Sequence, residues 1–270
     1  MVPLLAVVPV SLNDQPAAER VAQELQTVVL EPATDPRSVE QFFAVLMVSG
    51  HRIALQQCGR NMPGAVSVDF GSGGMRHRRR GGNNEDLGKA VGVNKRKELF
   101  VLDATAGLGR DSFVLADMDC KVRLCEREPL VALLLQAGLD AARSSDDEWL
   151  RAVSSRMHLV SGDATELPSS LIDGIDVIYL DPMFPQRRQS AAVKKEMAIL
   201  QRLLPDSQEG AQPETLLRWA LEQPVARIVL KRPRKAPLLD DTKPSHSLQG
   251  KSIRFDVFVK RALQPRLTDV

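Results

Sequence analysis

The chain has 270 residues, enough to bury a full core as one large domain or as a domain with a smaller appendage, which excludes a minimal binding module. Its 36 lysines and arginines against 34 acidic residues leave a net charge of +2, so any nucleic-acid surface must be a local patch and not a global field. Cys58, Cys120 and Cys125 are odd in number and lack CxxC spacing, which argues against a disulfide framework or structural zinc and for a reducing compartment.

The apolar opening from Met1 to Val10 is interrupted by Pro3 and Pro9, has no basic flank and is too short to span a bilayer. It reads as a strand, and no membrane partner is expected. Ala18, Val21, Ala22, Leu25 and Val28 then recur at helical spacing, with Asn13 or Asp14 as the N-cap. From Phe42 to Phe70, short apolar runs separated by Gly50 and Gly64 indicate a small strand-rich unit. Gly71 to Asn84 has no apolar periodicity and holds Arg76, Arg78, Arg79 and Arg80 among glycines. This stretch is either a basic linker or a segment that orders on RNA. The expected organisation is a small N-terminal α+β subdomain over 1–75, a basic glycine-rich linker over 76–84 and a larger domain over 85–270.

Beyond the linker, strand and helix signals alternate. Apolar runs at Leu99–Leu102, Lys121–Cys125, Met157–Val160, Val177–Leu180 and Arg227–Leu230 are strand-like, a helix is expected from Asp111 and another from Pro129 to Ala142, and Ile253–Val259 alternates as a half-exposed final strand should. This order implies a doubly wound, mostly parallel sheet whose ligand crevice lies at the carboxyl ends of the strands.

Asp103-x-x-x-Gly107-x-Gly109 follows the first of these strands, where glycines let a ligand approach the backbone. Any tight strand-to-helix turn would look similar. Glu126 ends the next strand, placed either to accept from two ribose hydroxyls or to pair with Arg127 or Arg123. NAD is disfavoured: Ser112 stands where its fingerprint needs glycine or alanine, and Asp111 near the helix start would repel a pyrophosphate but accept from an ammonium. Asp163 either accepts from an adenine amine or caps a helix. Asp181-Pro182-Met183-Phe184 ends the fourth strand of the alternating region. A carboxylate and a proline-fixed carbonyl there suit an exocyclic base amine, whose lone pair is delocalised into the ring, with Phe184 stacking on the base. A tight turn in which Asp181 merely caps a helix is the alternative.

Asp103 to Asp111, Tyr179 to Pro185, Ser190-Ala191-Ala192-Val193-Lys194-Lys195-Glu196-Met197, Val229 to Pro233 and Arg254-Phe255-Asp256 occur in one order. Together they resemble the small-subunit ribosomal RNA guanine-N2 methyltransferases of the RsmJ type, from about Gly81 to Val259. The resemblance implies a class I, Rossmann-like methyltransferase domain over 85–270, with S-adenosylmethionine as cofactor and no metal. In the family the acceptor is N2 of guanine 1516 in 16S rRNA. It further implies cofactor contacts at Arg110, Asp111, Glu126, Arg127 and Asp181 and at the Asp163-Ala164 pair, beside Asp103, Gly107 and Gly109 of the glycine turn and a catalytic turn of Asp181, Pro182 and Phe184 expected from the residues themselves. One member of the family carries two serines where this chain has Asp163-Ala164, which weakens the carry-over there. Arg187, Arg188, Lys194 and Lys195 follow the catalytic turn, and Lys231, Arg232, Arg234 and Lys235 follow the next strand. Both clusters are expected to rim one mouth of the sheet and meet phosphates of 16S rRNA or the small subunit, in the cytoplasm. An exocyclic amine of a DNA base is the alternative acceptor, because Asp-Pro-x-Phe also resembles the Asp-Pro-Pro-Tyr motif.

Overall fold

The structure is a computed structural model that describes residues 4–79, 83–182, 198–204, 212–239 and 241–263. The described residues form two compact units: one holds 4–69, 128–144 and 198–204, and the other holds 70–127, 145–182 and the residues from 212 on.

In the first unit, β1 (Leu5–Pro9) pairs in parallel with β2 (Ala44–Ser49), which forms a hairpin with β3 (Arg52–Gln57). Ser49 faces Arg52 across a two-residue turn, and Gly50 supplies its positive φ of 57°. Helix α1 (Gln15–Glu24) packs on β1 through Ala18, Val21 and Ala22. Its preceding residue Asp14 accepts from the Gly50 amide at 2.6 Å, tying the helix start to the hairpin.

In the second unit, α2 (Gly73–Arg79) and α3 (Asn83–Val91) replace the expected linker. The sequence conceals α2 because little of what holds it is apolar. The Arg76 guanidinium lies 2.5 Å from the Asp147 carboxylate and 5.2 Å from the centre of the Trp149 ring. Trp149 meets Phe113 edge-on at 5.5 Å, and Phe113 stacks on Phe70 at 4.6 Å. Arg76 is therefore a structural cation. The boundary falls before Phe70 and not at 76–84, and the first unit also takes in α5 (Pro129–Arg143), which packs on β3. A Cβ at Gly138 in α5 would come within 2.4 Å of Val68 Cγ1, so only glycine permits that approach.

The second unit is built on a seven-stranded sheet of β4 (Phe100–Asp103), β5 (Lys121–Glu126), β6 (Met157–Ser161), β7 (Val177–Leu180), β8 (Arg227–Pro233), β9 (His246–Gln249) and β10 (Ile253–Val259). Its order is β6-β5-β4-β7-β8-β10-β9. The first five strands in that order are parallel, and β10 runs antiparallel to both neighbours. The chain winds outward from β4 through β5 to β6, then returns to the other side of β4 with β7, so the switch point lies between β4 and β7. All four residues of β7 are buried, as a central strand covered on both faces requires. Leu102, Ile178, Ile228 and Leu230 share a core with Leu216, Leu217 and Ala220 of α7 (Pro213–Glu222). Helix α4 (Arg110–Asp117) follows β4, and α6 (Glu148–Ser154) precedes β6 and packs against α4.

Strand β10 is not half-exposed: Arg254 through Phe258 are all buried. The polar positions of its alternation pair with each other, Arg254 Nε lying 2.9 Å from Asp256 Oδ1, and Ser247 of β9 donates to the same carboxylate at 2.6 Å. A buried charge persists when it is paired and hydrogen-bonded, and both conditions hold here.

Candidate active site

Asp103, Glu126, Asp163 and Asp181 all lie at or just past the carboxyl ends of parallel strands, around the switch point. The β4 tip is organised by its own carboxylate. Asp103 is buried, with Oδ1 accepting from the Thr105 amide at 3.1 Å and Oδ2 from Ser112 Oγ at 2.5 Å, which locks the loop to the first turn of α4. Burial pushes the Asp103 carboxyl up to about 6; these two hydrogen bonds oppose the shift, and the charges of Asp181 and Glu126 add to it.

The cost of ionising Asp103 has a measurable consequence. The folded state binds this proton more tightly than the unfolded chain, so stability falls as pH rises between the ordinary value of 3.8 and about 6. Asp103→Asn removes that fall: its amide oxygen still accepts from Thr105 and its NH2 donates to Ser112. In cofactor-free protein the variant is expected to gain about 3 kcal/mol at about pH 8, and the gain disappears below about pH 4, from roughly 1.4 kcal/mol per pKa unit. Denaturant midpoints across that range check it; a gain independent of pH would show that Asp103 ionises without penalty.

The loop turns on Gly107 and Gly109, with φ of 53° and 71°, the latter being the left-handed N-cap of α4. A Cβ on Gly107 would meet nothing within 4 Å, so this glycine serves the backbone conformation and faces open space. Its amide donates to Glu126 Oε2 at 2.7 Å, fixing the buried carboxylate at the end of β5 beneath the turn. Arg110 opens α4 and Arg127 follows Glu126, both partly buried. Cys125 sits close by, but burial, and after it the charges of Glu126, Asp163 and Asp103, push its thiol up to about 12. It stays protonated near neutrality and is not a nucleophile.

Asp163 caps a short 3-10 turn, Ala164–Glu166, accepting at Oδ1 from the Thr165 amide at 2.8 Å and hydroxyl at 2.7 Å. That is the helix-cap alternative of the sequence. The Ala164 methyl is buried in the core.

The β7 tip meets the β4 loop directly. The Asp181 amide donates to Thr105 Oγ1 at 2.6 Å, and Tyr179, fully buried in β7, donates its hydroxyl to Asp111 Oδ2 at 2.6 Å. Leu180 faces Leu230 in the register of β7 and β8, which brings Lys231 beside Asp181. Lys231 Nζ bridges the first turn of α4 and the β7 tip, 2.8 Å from Asp111 Oδ2 and 2.7 Å from Asp181 Oδ2. Pro182 follows Asp181 at the crevice; Phe184, Arg187, Arg188, Lys194 and Lys195 lie outside the described residues.

Two expected phosphate contacts need correction. Lys231 points into the acidic pair and not outward from a rim. Arg232 is only 4 % exposed and donates to the Pro237 carbonyl, because alternate β8 side chains face opposite sides of the sheet. The sequence does not announce the hydrogen-bonding roles of Thr105, Ser112 and Tyr179 or the bridging role of Lys231. The hydroxyl in the otherwise apolar run Val177–Leu180 was a usable signal, since a buried tyrosine hydroxyl needs a partner.

This geometry has recognisable relatives. Residues 35–260 match the model of a family described as putative SAM-dependent methyltransferase. Over 264 residues the chain is 43% identical to the ribosomal RNA small subunit methyltransferase J of Pseudomonas fluorescens, covering 94% of this chain and 100% of that protein. The chain belongs to the ribosomal RNA small subunit methyltransferase J family. The methyltransferase J of Dechloromonas aromatica is 47% identical over 233 residues, 85% of this chain and 93% of that one. A crystal structure of a SAM-dependent methyltransferase from Neisseria gonorrhoeae superposes with a TM-score of 0.67 at 30% identity, covering 96% and 97% of the two chains. As a methyltransferase J family member, the protein is an S-adenosylmethionine-dependent enzyme with the class I fold. Its residues fit that cofactor. Gly107 opens onto free space beside the fixed carboxylate of Glu126, and Asp111 with Asp181 already hold one primary ammonium, the group that the cofactor's methionine end carries. Among the described residues there is no cluster of three or more metal-ligating side chains and no helix long and apolar enough to cross a membrane.

Proposed function

We propose that the protein methylates the exocyclic N2 of a guanine in 16S rRNA, the position numbered 1516 in the family, and does so in the cytoplasm on free rRNA or the small subunit. The observation that carries this reading is the 2.6 Å hydrogen bond from the Asp181 amide to Thr105, which holds the acceptor turn against the cofactor loop. Bound S-adenosylmethionine supplies an electrophilic methyl on its sulfonium. Glu126 would hold the ribose of that cofactor, and Asp111 would accept from the ammonium of its methionine end. Asp181 and the backbone carbonyl at Pro182 accept the two amine hydrogens, restoring electron density to N2 and aiming its lone pair. The methyl that the cofactor would supply would pass from sulfur to N2, leaving the thioether, and Asp181 would take the amine proton and release it to water. The relatives' names, which specify ribosomal RNA of the small subunit, support the choice of substrate.

For the phosphates we assign Arg234 and Lys235, both exposed, in place of Lys231 and Arg232. Their loop is held from beneath: Arg254 Nη1 donates to the carbonyls of Arg234 at 2.9 Å and Ala236 at 2.6 Å, and Arg232 donates to Pro237. Buried guanidiniums spent on main-chain carbonyls pre-order the loop while its own cations stay in water, which lowers the entropic cost of binding a polyanion. Replacing Arg234 and Lys235 together by alanine is expected to weaken rRNA binding about tenfold and flatten the salt dependence by about one to two in slope. Filter binding across salt concentrations measures this, and an unchanged slope would move the RNA surface elsewhere. The reaction itself is tested by incubating purified protein with S-adenosylmethionine and small-subunit rRNA and mapping methylated nucleotides by mass. A methyl on N2 of one guanine is the expected product; transfer to naked DNA with none to rRNA would overturn the reading.

A further inference from the structure

We infer that Lys231 is a positioning residue for methyl transfer, its ammonium tying the amine-accepting carboxylate of Asp181 to Asp111 on the cofactor side. The inference rests on the proposed role of Asp181. Three observations meet at this side chain. Lys231 Nζ lies within hydrogen-bond distance of both carboxylates, 2.8 Å from Asp111 and 2.7 Å from Asp181, and in each case the partner is Oδ2. Tyr179 donates to the same Asp111 oxygen from below at 2.6 Å, so the Asp111 end of the bridge is anchored in the buried centre of the sheet. The Asp181 end is anchored through its backbone, by the amide bond to Thr105.

The consequence is orientation. The Asp181 side chain is 37% exposed, so packing alone holds its carboxylate weakly; a lysine whose side chain is 20% exposed bonds it at Oδ2 and limits its rotation. Two carboxylates this close to one cation would repel each other without it. Lysine suits the task because its ammonium is a point charge with three donors, able to hold two carboxylates at once and keep a third hydrogen bond for water or substrate. Placement of a reacting group to within about 1 Å is worth on the order of a hundredfold in rate. The bridge also joins the two halves of the reaction: one carboxylate faces the cofactor, the other the base, and the same ammonium sets both.

The test compares K231M, which keeps most of the stem, with K231R, which keeps the charge. The expected result for K231M is a kcat lower by roughly a hundredfold, on the scale that misplacing a reacting group costs. The rRNA KM should change little, and cofactor affinity should fall far less than kcat, because Tyr179 still donates to Asp111. K231R is expected to recover kcat to within about tenfold of wild type, because its guanidinium still reaches two carboxylates in a less suitable shape. An unaltered kcat in K231M overturns the inference. So does a variant whose kcat at saturating rRNA is normal while its rRNA affinity and salt slope fall, because Lys231 would then be a phosphate contact. If K231M melts early, K231Q and K231R decide: kcat of K231R must exceed that of K231Q, and equal values overturn the inference. Asp181→Asn, assayed alongside, separates the two claims. An active D181N overturns the reading of Asp181 and this inference with it, whereas an inactive D181N beside a fully active K231M overturns only the role of Lys231.

Discussion

Asp181→Asn is expected to lower the rate of methyl transfer by about 10²- to 10⁴-fold, the range for loss of a positioned proton acceptor, while leaving the fold close to wild type and lowering cofactor affinity far less than the rate. The substitution changes almost no volume. It removes one acceptor oxygen and presents two N–H donors where the guanine amine also has only N–H to offer. One amine hydrogen then loses its acceptor, and the proton released on methylation has no base to receive it. The backbone bond from residue 181 to Thr105 does not depend on the side chain, and Lys231 retains Asp111 as a partner, so the loops stay together. Methyl incorporation into small-subunit rRNA, calorimetry with S-adenosylmethionine and a melting curve form the required set of measurements. Rate loss with binding and melting retained assigns Asp181 to the chemical step; full activity removes it from the mechanism, and loss of all three would make it a structural residue.

What could be read in advance follows the physics of burial. Central parallel strands are covered on both faces, so β4, β5, β7 and β8 stand out as short apolar runs, and the residues that end them fall on the crevice once the winding order is known. Asp103, Glu126 and Asp181 were therefore legible. Side-chain pairings between distant segments were not, and they account for the errors. Helix α2 depends on Arg76 meeting Asp147 and Trp149, some seventy positions on, which no local pattern records. Strand β10 alternates like a half-exposed strand because its polar members neutralise each other inside the sheet, and β9, short and polar at the edge, carries no apolar signal. The run Lys231-Arg232-Pro233-Arg234-Lys235 looks like one basic patch in sequence, yet the pleat and the loop divide it into three uses. Lys231 serves the carboxylates, Arg232 serves the loop carbonyl, and Arg234 with Lys235 face solvent. Asp163 shows the converse: of its two readings the cap is realised locally, through Oδ1 accepting from Thr165.

Glu126→Ala is expected to weaken S-adenosylmethionine binding by about 2–4 kcal/mol, or roughly 30- to 1000-fold, because it removes a buried charged acceptor and frees the loop that it holds. In the wild type, Oε2 accepts from the Gly107 amide at 2.7 Å, and in the proposed function the same carboxylate accepts from the ribose hydroxyls. Two effects are therefore combined in the alanine variant: lost hydrogen bonds to the sugar hydroxyls and a turn no longer pinned to β5. Glu126→Gln separates them, since its amide oxygen still accepts from Gly107 while its NH2 faces the sugar, and a loss of about 1–2 kcal/mol is expected. A thermodynamic cycle with a cofactor analogue lacking both ribose hydroxyls isolates the direct contact. Wild type should prefer the complete ribose, and Glu126→Ala should bind the two ligands almost equally. If the preference survives in the variant, the sugar is read elsewhere and Glu126 acts only on the loop. If both ligands bind the variant as tightly as they bind wild type, the carboxylate at the end of β5 has no part in cofactor recognition.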